Sequence, residues 1–151
     1  MILEVTTVND MMKFGEKIGA AINGGTTVLL IGDVGAGKTT LTKGIAIGMG
    51  VSDDVQSPTF TISRVYEASD SRVLAHYDFY RLHDAGIMAD ELHEVVNDQT
   101  VVTLIEWGEV VAGVVPHDHL EIRIQAISET ARRMELAAFG INSATLLEKL
   151  A

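Results

Sequence analysis

Cysteine is absent from the chain, which excludes disulfides, thiolate catalysis and Cys-based zinc sites and allows an ordinary cytosolic setting. Proline is scarce: two residues in 151, beside 47% apolar residues, argue for a compact globule rather than a disordered chain. No stretch reaches the roughly 18 consecutive apolar residues of a membrane span. The opening MILEVTTVNDMMK lacks a basic start followed by a long apolar run, so the expected location is the cytoplasm. Basic residues are also in deficit, 11 Lys and Arg against 21 Asp and Glu, for a net charge of −10. A protein that grips a nucleic-acid backbone unaided needs a basic patch, so strong direct binding is not expected. Charge leaves open a partner that itself carries nucleic acid.

What is present is concentrated in residues 26–40, TTVLLIGDVGAGKTT. The β-branched, apolar run from Thr26 to Ile31 predicts a buried strand. It leads into Gly32-Asp33-Val34-Gly35-Ala36-Gly37-Lys38-Thr39, which fits G-x-x-x-x-G-K-[ST] at every fixed position. Glycines allow the backbone to curl until successive N–H groups point inward, forming a nest for phosphate oxygens at a helix N-terminus. Lys38 supplies a point charge to the β- and γ-phosphates, and Thr39 a hydroxyl to Mg²⁺. This is a P-loop.

The remaining pattern surrounds it with an α/β fold. Ile2 to Thr6 reads as a first strand. A helix follows from Val8, capped by Thr7 or Asn9 and stopped by Asn23-Gly24-Gly25. After the P-loop, Leu41, Ile45 and Met49 mark a helix whose Gly44 and Gly48 are expected to allow close approach to the sheet. Thr59–Glu67 and Arg72–Tyr80 alternate as an antiparallel hairpin. Residues 84–97 are helical, and Thr100–Trp107 is a strand buried on both faces, as parallel strands are. Gly108–Val115 allows a helical turn or two, halted by Pro116. Leu120–Gln125 and Arg132–Phe139 form a second hairpin, and Ser143 is placed to cap a last helix. The expectation is one P-loop domain over residues 1–151: a P-loop NTPase three-layer sandwich with parallel central strands and antiparallel hairpins at its margins.

Ligands in such sheets sit beyond the carboxyl ends of the strands. A P-loop needs a carboxylate from a neighbouring strand to hold Mg²⁺ and to orient a nucleophile. Glu106, ending TLIE, is the favoured candidate, against a reading in which it caps the turn at Gly108. Asp78 divides between a water-positioning role and a salt bridge to Arg81. The Ser57-Pro58-Thr59 loop is either a γ-phosphate-sensing segment or a proline turn. Arg132 and Arg133, on one strand, cannot both face a nucleotide. His117-Asp118-His119 reads as surface loop, and Trp107 either as core or as cover over the nucleotide or a partner surface.

Together these motifs resemble the TsaE family, P-loop ATPases of bacterial tRNA threonylcarbamoyladenosine synthesis. The matching pieces are GDVGAGKTTLTKG at 32–44, SPTFTI at 57–62, HYDFYRL at 76–82 and LIEW at 104–107. The resemblance implies binding of ATP and Mg²⁺, weak hydrolysis alone, and action on a TsaD–TsaB complex. That complex transfers threonylcarbamoyl to the adenosine beside the anticodon, and ATP turnover supports repeated cycles. By motif, Thr39 and Glu106 look like the magnesium residues, and Gly35, Ala36, Gly37, Lys38, Thr39 and Thr40 like the phosphate-binding run. Asp78 looks like a residue needed for hydrolysis, and Trp107 part of the active face. Thr7 and Val8 would lie by the adenine and Arg132 near the nucleotide. Family members usually carry Pro-Glu-Glu-Leu and Leu-Gly after the YRL, where this chain has residues 83–94 of different sequence. A small-molecule kinase and a nucleotide-sensing module with incidental hydrolysis share the P-loop. No N-K-x-D segment supports a guanine switch.

Overall fold

The computed structural model describes residues 1–151. The elements run β1 (Ile2–Val5), α1 (Val8–Ala21), β2 (Thr27–Ile31), α2 (Lys38–Met49), β3 (Ser63–Glu67) and β4 (Val73–Asp78). Then follow α3 (Ile87–Val96), β5 (Val101–Glu106), a 3₁₀ turn (Gly108–Val111), β6 (His119–Ala126), β7 (Arg132–Phe139) and α4 (Ile141–Leu150). One seven-stranded sheet has the order β1-β7-β6-β2-β5-β4-β3. β2 runs parallel to both β5 and β6, and β4 runs parallel to β5. The β3–β4 and β6–β7 hairpins and the β1–β7 pair are antiparallel, which is the expected central and marginal arrangement.

Period-two alternation divides the core into two layers. Leu74, Val102, Leu104, Val28 and Leu30 face α1 and α2, whereas Ala75, Tyr77, Val101 and Ile105 face α3 and the 3₁₀ turn. Every residue of β5 is buried, and it reads as a nearly continuous apolar run, interrupted at Thr103 and closed by Glu106.

The glycines of α2 face α1, not the sheet. Gly15 and Gly19 of α1 meet Gly44 and Gly48 of α2 so closely that a Cβ on Gly15 would stand 2.6 Å from the Leu41 carbonyl oxygen. The sequence pattern exposed four small residues but not which surfaces they would join. Arg72 ties off the same helix pair, donating to the carbonyls of Gly19 in the last turn of α1 (3.0 Å), of Ile22 just beyond it (2.6 Å) and of Met49 at the α2 end (3.4 Å).

Three further expectations are corrected. The strand predicted from Thr59 starts only at Ser63, because the Pro58 carbonyl accepts the N–H groups of Thr61 (3.0 Å) and Ile62 (2.6 Å) and closes a turn. Ile62 has φ 70°, a left-handed conformation that a strand cannot contain. The following strand ends at Asp78 rather than Tyr80, since the Tyr80 N–H turns back onto Asp78 Oδ1 at 2.9 Å. Ser143 does not cap the last helix, which begins at Ile141. Asp118, from the loop before β6, accepts the N–H groups of Asn142 (2.8 Å) and Ser143 (2.9 Å), and the Ser143 hydroxyl (2.6 Å). At the start of α1 the cap is Thr7, whose hydroxyl accepts the Asp10 N–H at 3.0 Å.

Two stability measurements follow. Gly48→Ala gains up to about 1 kcal/mol in helix propensity, but forces two backbones apart at a cost of roughly 1 to 3 kcal/mol or more. Chemical denaturation should therefore show net destabilisation; a stabilised variant would contradict the helix contact. Asp118→Ala should cost about 1 kcal/mol at neutral pH, as loss of a helix cap does. Burial pushes the Asp118 carboxyl up, yet its bonds from Ser143 and Asn142 hold it below the usual carboxylate range on balance. A depressed folded pKa gives stability above the unfolded pKa, near 3.9, that is lost as pH falls through the folded value. The gap between wild type and variant should close in acid, and one constant down to pH 2 would refute the cap's charge dependence.

Candidate active site at the carboxyl ends of the parallel strands

Strand polarity assembles the site. β2, β5 and β4 deliver their carboxyl ends to one edge, and the six residues from Gly32 to Gly37 turn β2 into α2 there. Gly35 (φ 83°) and Gly37 (φ 112°) take the left-handed conformations that the curl requires. Lys38 begins the helix and is buried. Its ammonium donates to the Gly32 carbonyl and to the Asp33 carbonyl at 3.4 Å, and lies 4.4 Å from the centre of the Trp107 ring. Trp107 reaches over the site because it has φ 57°, a left-handed turn directly after β5, and Tyr80 packs on it at 5.0 Å between ring centres. Trp107 is partly buried: it packs against the smaller core cluster and also lines the cavity beside Lys38.

Glu106 and Asp78 are register partners at the ends of β5 and β4, and both are buried. Alternation points them to the α2 side of the sheet, with Leu104 and Leu74. Each is held by the protein. Asp78 accepts the Thr59 hydroxyl (2.8 Å) and the Tyr80 N–H (2.9 Å). No ion pair joins it to Arg81, whose guanidinium stacks 4.5 Å from the Phe60 ring centre. The Thr59 hydroxyl also bonds Ser57 at 2.8 Å, so the loop before the hairpin is tied to Asp78. Glu106 bonds His76 at 2.7 Å. His76 is a buried partner of Glu106 that sequence reasoning missed. The signal was its place two residues before Asp78 on an alternating strand, which put both on one face.

A cavity of about 340 Å³ gathers Gly35, Gly37, Lys38, Thr39, Thr40, Ser57, Thr59, Asp78, Glu106 and Trp107. Its donors are backbone N–H groups and a lysine on one side and oxygen acceptors on the other. A second cavity of about 360 Å³ adjoins it at Gly35, Gly37 and Thr40, and is lined by Thr7, Val8, Met11 and Arg132. Ala36 lies inside, buried, and does not line either cavity. Arg132 donates to the carbonyls of Ala36 (2.9 Å) and Gly35 (3.4 Å), and to Ser128, Glu129 and Ala131 in the β6–β7 connection. It braces the phosphate loop from behind, while Arg133 points outward and is exposed.

A family model described as "Threonylcarbamoyl adenosine biosynthesis protein TsaE" matches residues 5–134. The tRNA threonylcarbamoyladenosine biosynthesis protein TsaE of Streptomyces coelicolor is 36% identical over 140 residues, covering 89% of this chain and 95% of its own. Its namesake from Bacillus subtilis is 37% identical over 126 residues, covering 83% and 78%. Among solved structures, YdiB of Bacillus subtilis superposes with a TM-score of 0.82 at 29% identity, over 99% of this chain and 93% of that one.

Arg132→Ala removes charge-assisted hydrogen bonds worth about 1.5 to 3 kcal/mol each, so a nucleotide that relies on the loop's shape should bind about tenfold more weakly. Arg132→Lys should recover only part, since an ammonium lacks the planar fork. Calorimetric titration with ATP checks both, and unchanged affinity in Arg132→Ala would show that the loop holds its shape unaided.

Proposed function

Because the chain belongs to the TsaE family of threonylcarbamoyl adenosine biosynthesis proteins, we propose that it is the ATP-binding, Mg²⁺-dependent ATPase component of tRNA threonylcarbamoyladenosine synthesis, acting on a TsaD–TsaB complex to sustain turnover. The observation that supports this most is the meeting of the phosphate loop, Thr39, Asp78 and Glu106 around one cavity. In this reading the loop N–H groups and Lys38 hold the β- and γ-phosphates. The adjoining cavity beside Thr7, Val8 and Arg132 takes the base and sugar.

The donor set fits magnesium. Thr39, Glu106 and Asp78 offer only oxygen, the donor Mg²⁺ prefers, and no cluster of three or more metal-binding side chains is present. A cation that keeps its waters and leans on phosphate oxygens needs few protein ligands. Thr39 and Glu106 would hold it, and when bound it neutralises charge on the β- and γ-phosphate oxygens. In this reading Asp78 orients a water toward the γ-phosphate. Its bond to Thr59 links that event to the 57–62 loop, whose Phe60 is 83% exposed. Slow hydrolysis by the isolated protein and acceleration by a partner that rearranges this loop are the expected behaviour.

The test is phosphate release from ATP by wild type and Glu106→Ala, each alone and with a purified TsaD–TsaB pair from the same source. A slow basal rate should rise with the pair, and the variant should lose at least about a hundredfold, the range for removing a group that acts on transition-state charge. Absence of both stimulation and physical association would remove the TsaD–TsaB assignment. Transfer of the γ-phosphate to a small acceptor, in place of release, would instead make the protein a kinase.

A further inference from the structure

A carboxylate that must present one oxygen to a metal gains from being unable to turn. Glu106 is 3% exposed, and its two oxygens have different surroundings. Oε2 bonds His76 Nε2 at 2.7 Å, whereas Oε1 bonds nothing in the protein, and Glu106 lines the cavity that contains Lys38 and Thr39. A carboxylate oxygen only accepts, so the Nε2–H of His76 is the donor.

His76 itself has no contact with solvent. It lies on β4 opposite Leu104, two residues before Asp78, and so reaches diagonally to the Glu106 side chain on β5. Its other ring nitrogen, Nδ1, is buried and has no hydrogen-bond partner. An imidazole that leaves one polar atom unpaired in a core is costly compared with an apolar residue of similar volume. The bond from Nε2 to Glu106 is what the ring supplies in return.

We infer that His76 is a positioning residue for the metal–nucleotide site: its Nε2–H pins Glu106 Oε2 and thereby turns Oε1 toward the cavity. The inference rests on the magnesium reading above. It assigns His76 no contact with substrate, and it places the effect in geometry, so a donor at the Nε2 position is required and one at the Nδ1 position is useless. Hydrogen bonds that orient a metal-binding side chain typically change metal affinity by about 10- to 100-fold.

Glutamine and asparagine separate these positions. In His76→Gln the amide nitrogen falls near the place of Nε2, and in His76→Asn it falls near that of Nδ1, with similar polarity in both. The experiment is calorimetric titration of wild type and both variants with ADP, once with Mg²⁺ and once with EDTA, alongside melting temperatures. Affinity in EDTA should be unchanged throughout. The Mg²⁺-linked gain in affinity should survive in His76→Gln and fall about tenfold in His76→Asn. If His76→Asn is too unstable to titrate, His76→Leu, close in volume to the imidazole, should show the same loss. Full gain in the asparagine or leucine variant overturns the inference, as does equal loss in glutamine and asparagine, which is the signature of packing alone. Wild type lacking any Mg²⁺-linked gain would remove the magnesium reading and this inference together, so the two failures are distinguishable.

Discussion

Three neighbouring strands, β2, β5 and β4, run in the same direction, and the rest of the site depends on that constraint. Parallel pairing sends all three carboxyl ends to one edge. Alternation along each strand then decides which side chains emerge on the α2 side, where the helix N-terminus concentrates unpaired N–H groups. Lys38, Asp78 and Glu106 come from positions up to 68 residues apart by number, yet no long-range loop has to be shaped to join them. A one-residue slip of β5 would turn Glu106 into the opposite layer, beside Ala75 and Tyr77 of β4.

The site is electrostatically unbalanced by construction. Asp78 and Glu106 are adjacent across the β4–β5 pair and buried, an arrangement that costs free energy unless each carboxylate is supported. The support is specific: a hydroxyl and an N–H for Asp78, an imidazole for Glu106. Lys38 forms no ion pair with either carboxylate; its ammonium donates to loop carbonyls and lies over the Trp107 face. Two carboxylates on one wall and a ring of N–H donors on the other suit a ligand that carries phosphate and a hard cation together. The overall charge of −10 works against polyanions elsewhere on the surface.

Much of this was legible in the residues. The P-loop, the buried strand ending in Glu106, the two hairpins and the Thr7 cap all depend on local patterns whose physics is contained in a few consecutive positions. What escaped depends on contacts between distant segments. Gly44 and Gly48 announced close approach, but only the packed structure shows that α1, not the sheet, is what approaches. Asp118, dismissed with its histidine neighbours as surface loop, caps a helix that starts 23 residues later. Ile62 belongs to an alternating pattern, yet the Pro58 turn drives it to positive φ, a case of turn chemistry overriding propensity. His76 looked like one more inward position of a strand, since periodicity reports which face a residue takes and not which partner it meets.

The segment from 57 to 62 joins these strands of argument. Its sequence allowed either a bland proline turn or a phosphate-sensing loop, and the structure makes the two compatible. The turn is built by the Pro58 carbonyl, while the Thr59 hydroxyl reaches into the site and bonds Asp78. Phe60, at the apex, is exposed and meets Arg81 rather than the core. Pro58 is buried and Ile62 packs against the smaller core cluster, so the segment is anchored on both sides of an exposed apex. Anything that changes the hydrogen bonding of Asp78 therefore changes what holds the loop, and a partner that grips the exposed apex acts on Asp78 in turn. That reciprocity follows from linkage alone. It gives the domain one segment that connects a buried carboxylate of the cavity to an exposed aromatic on the surface.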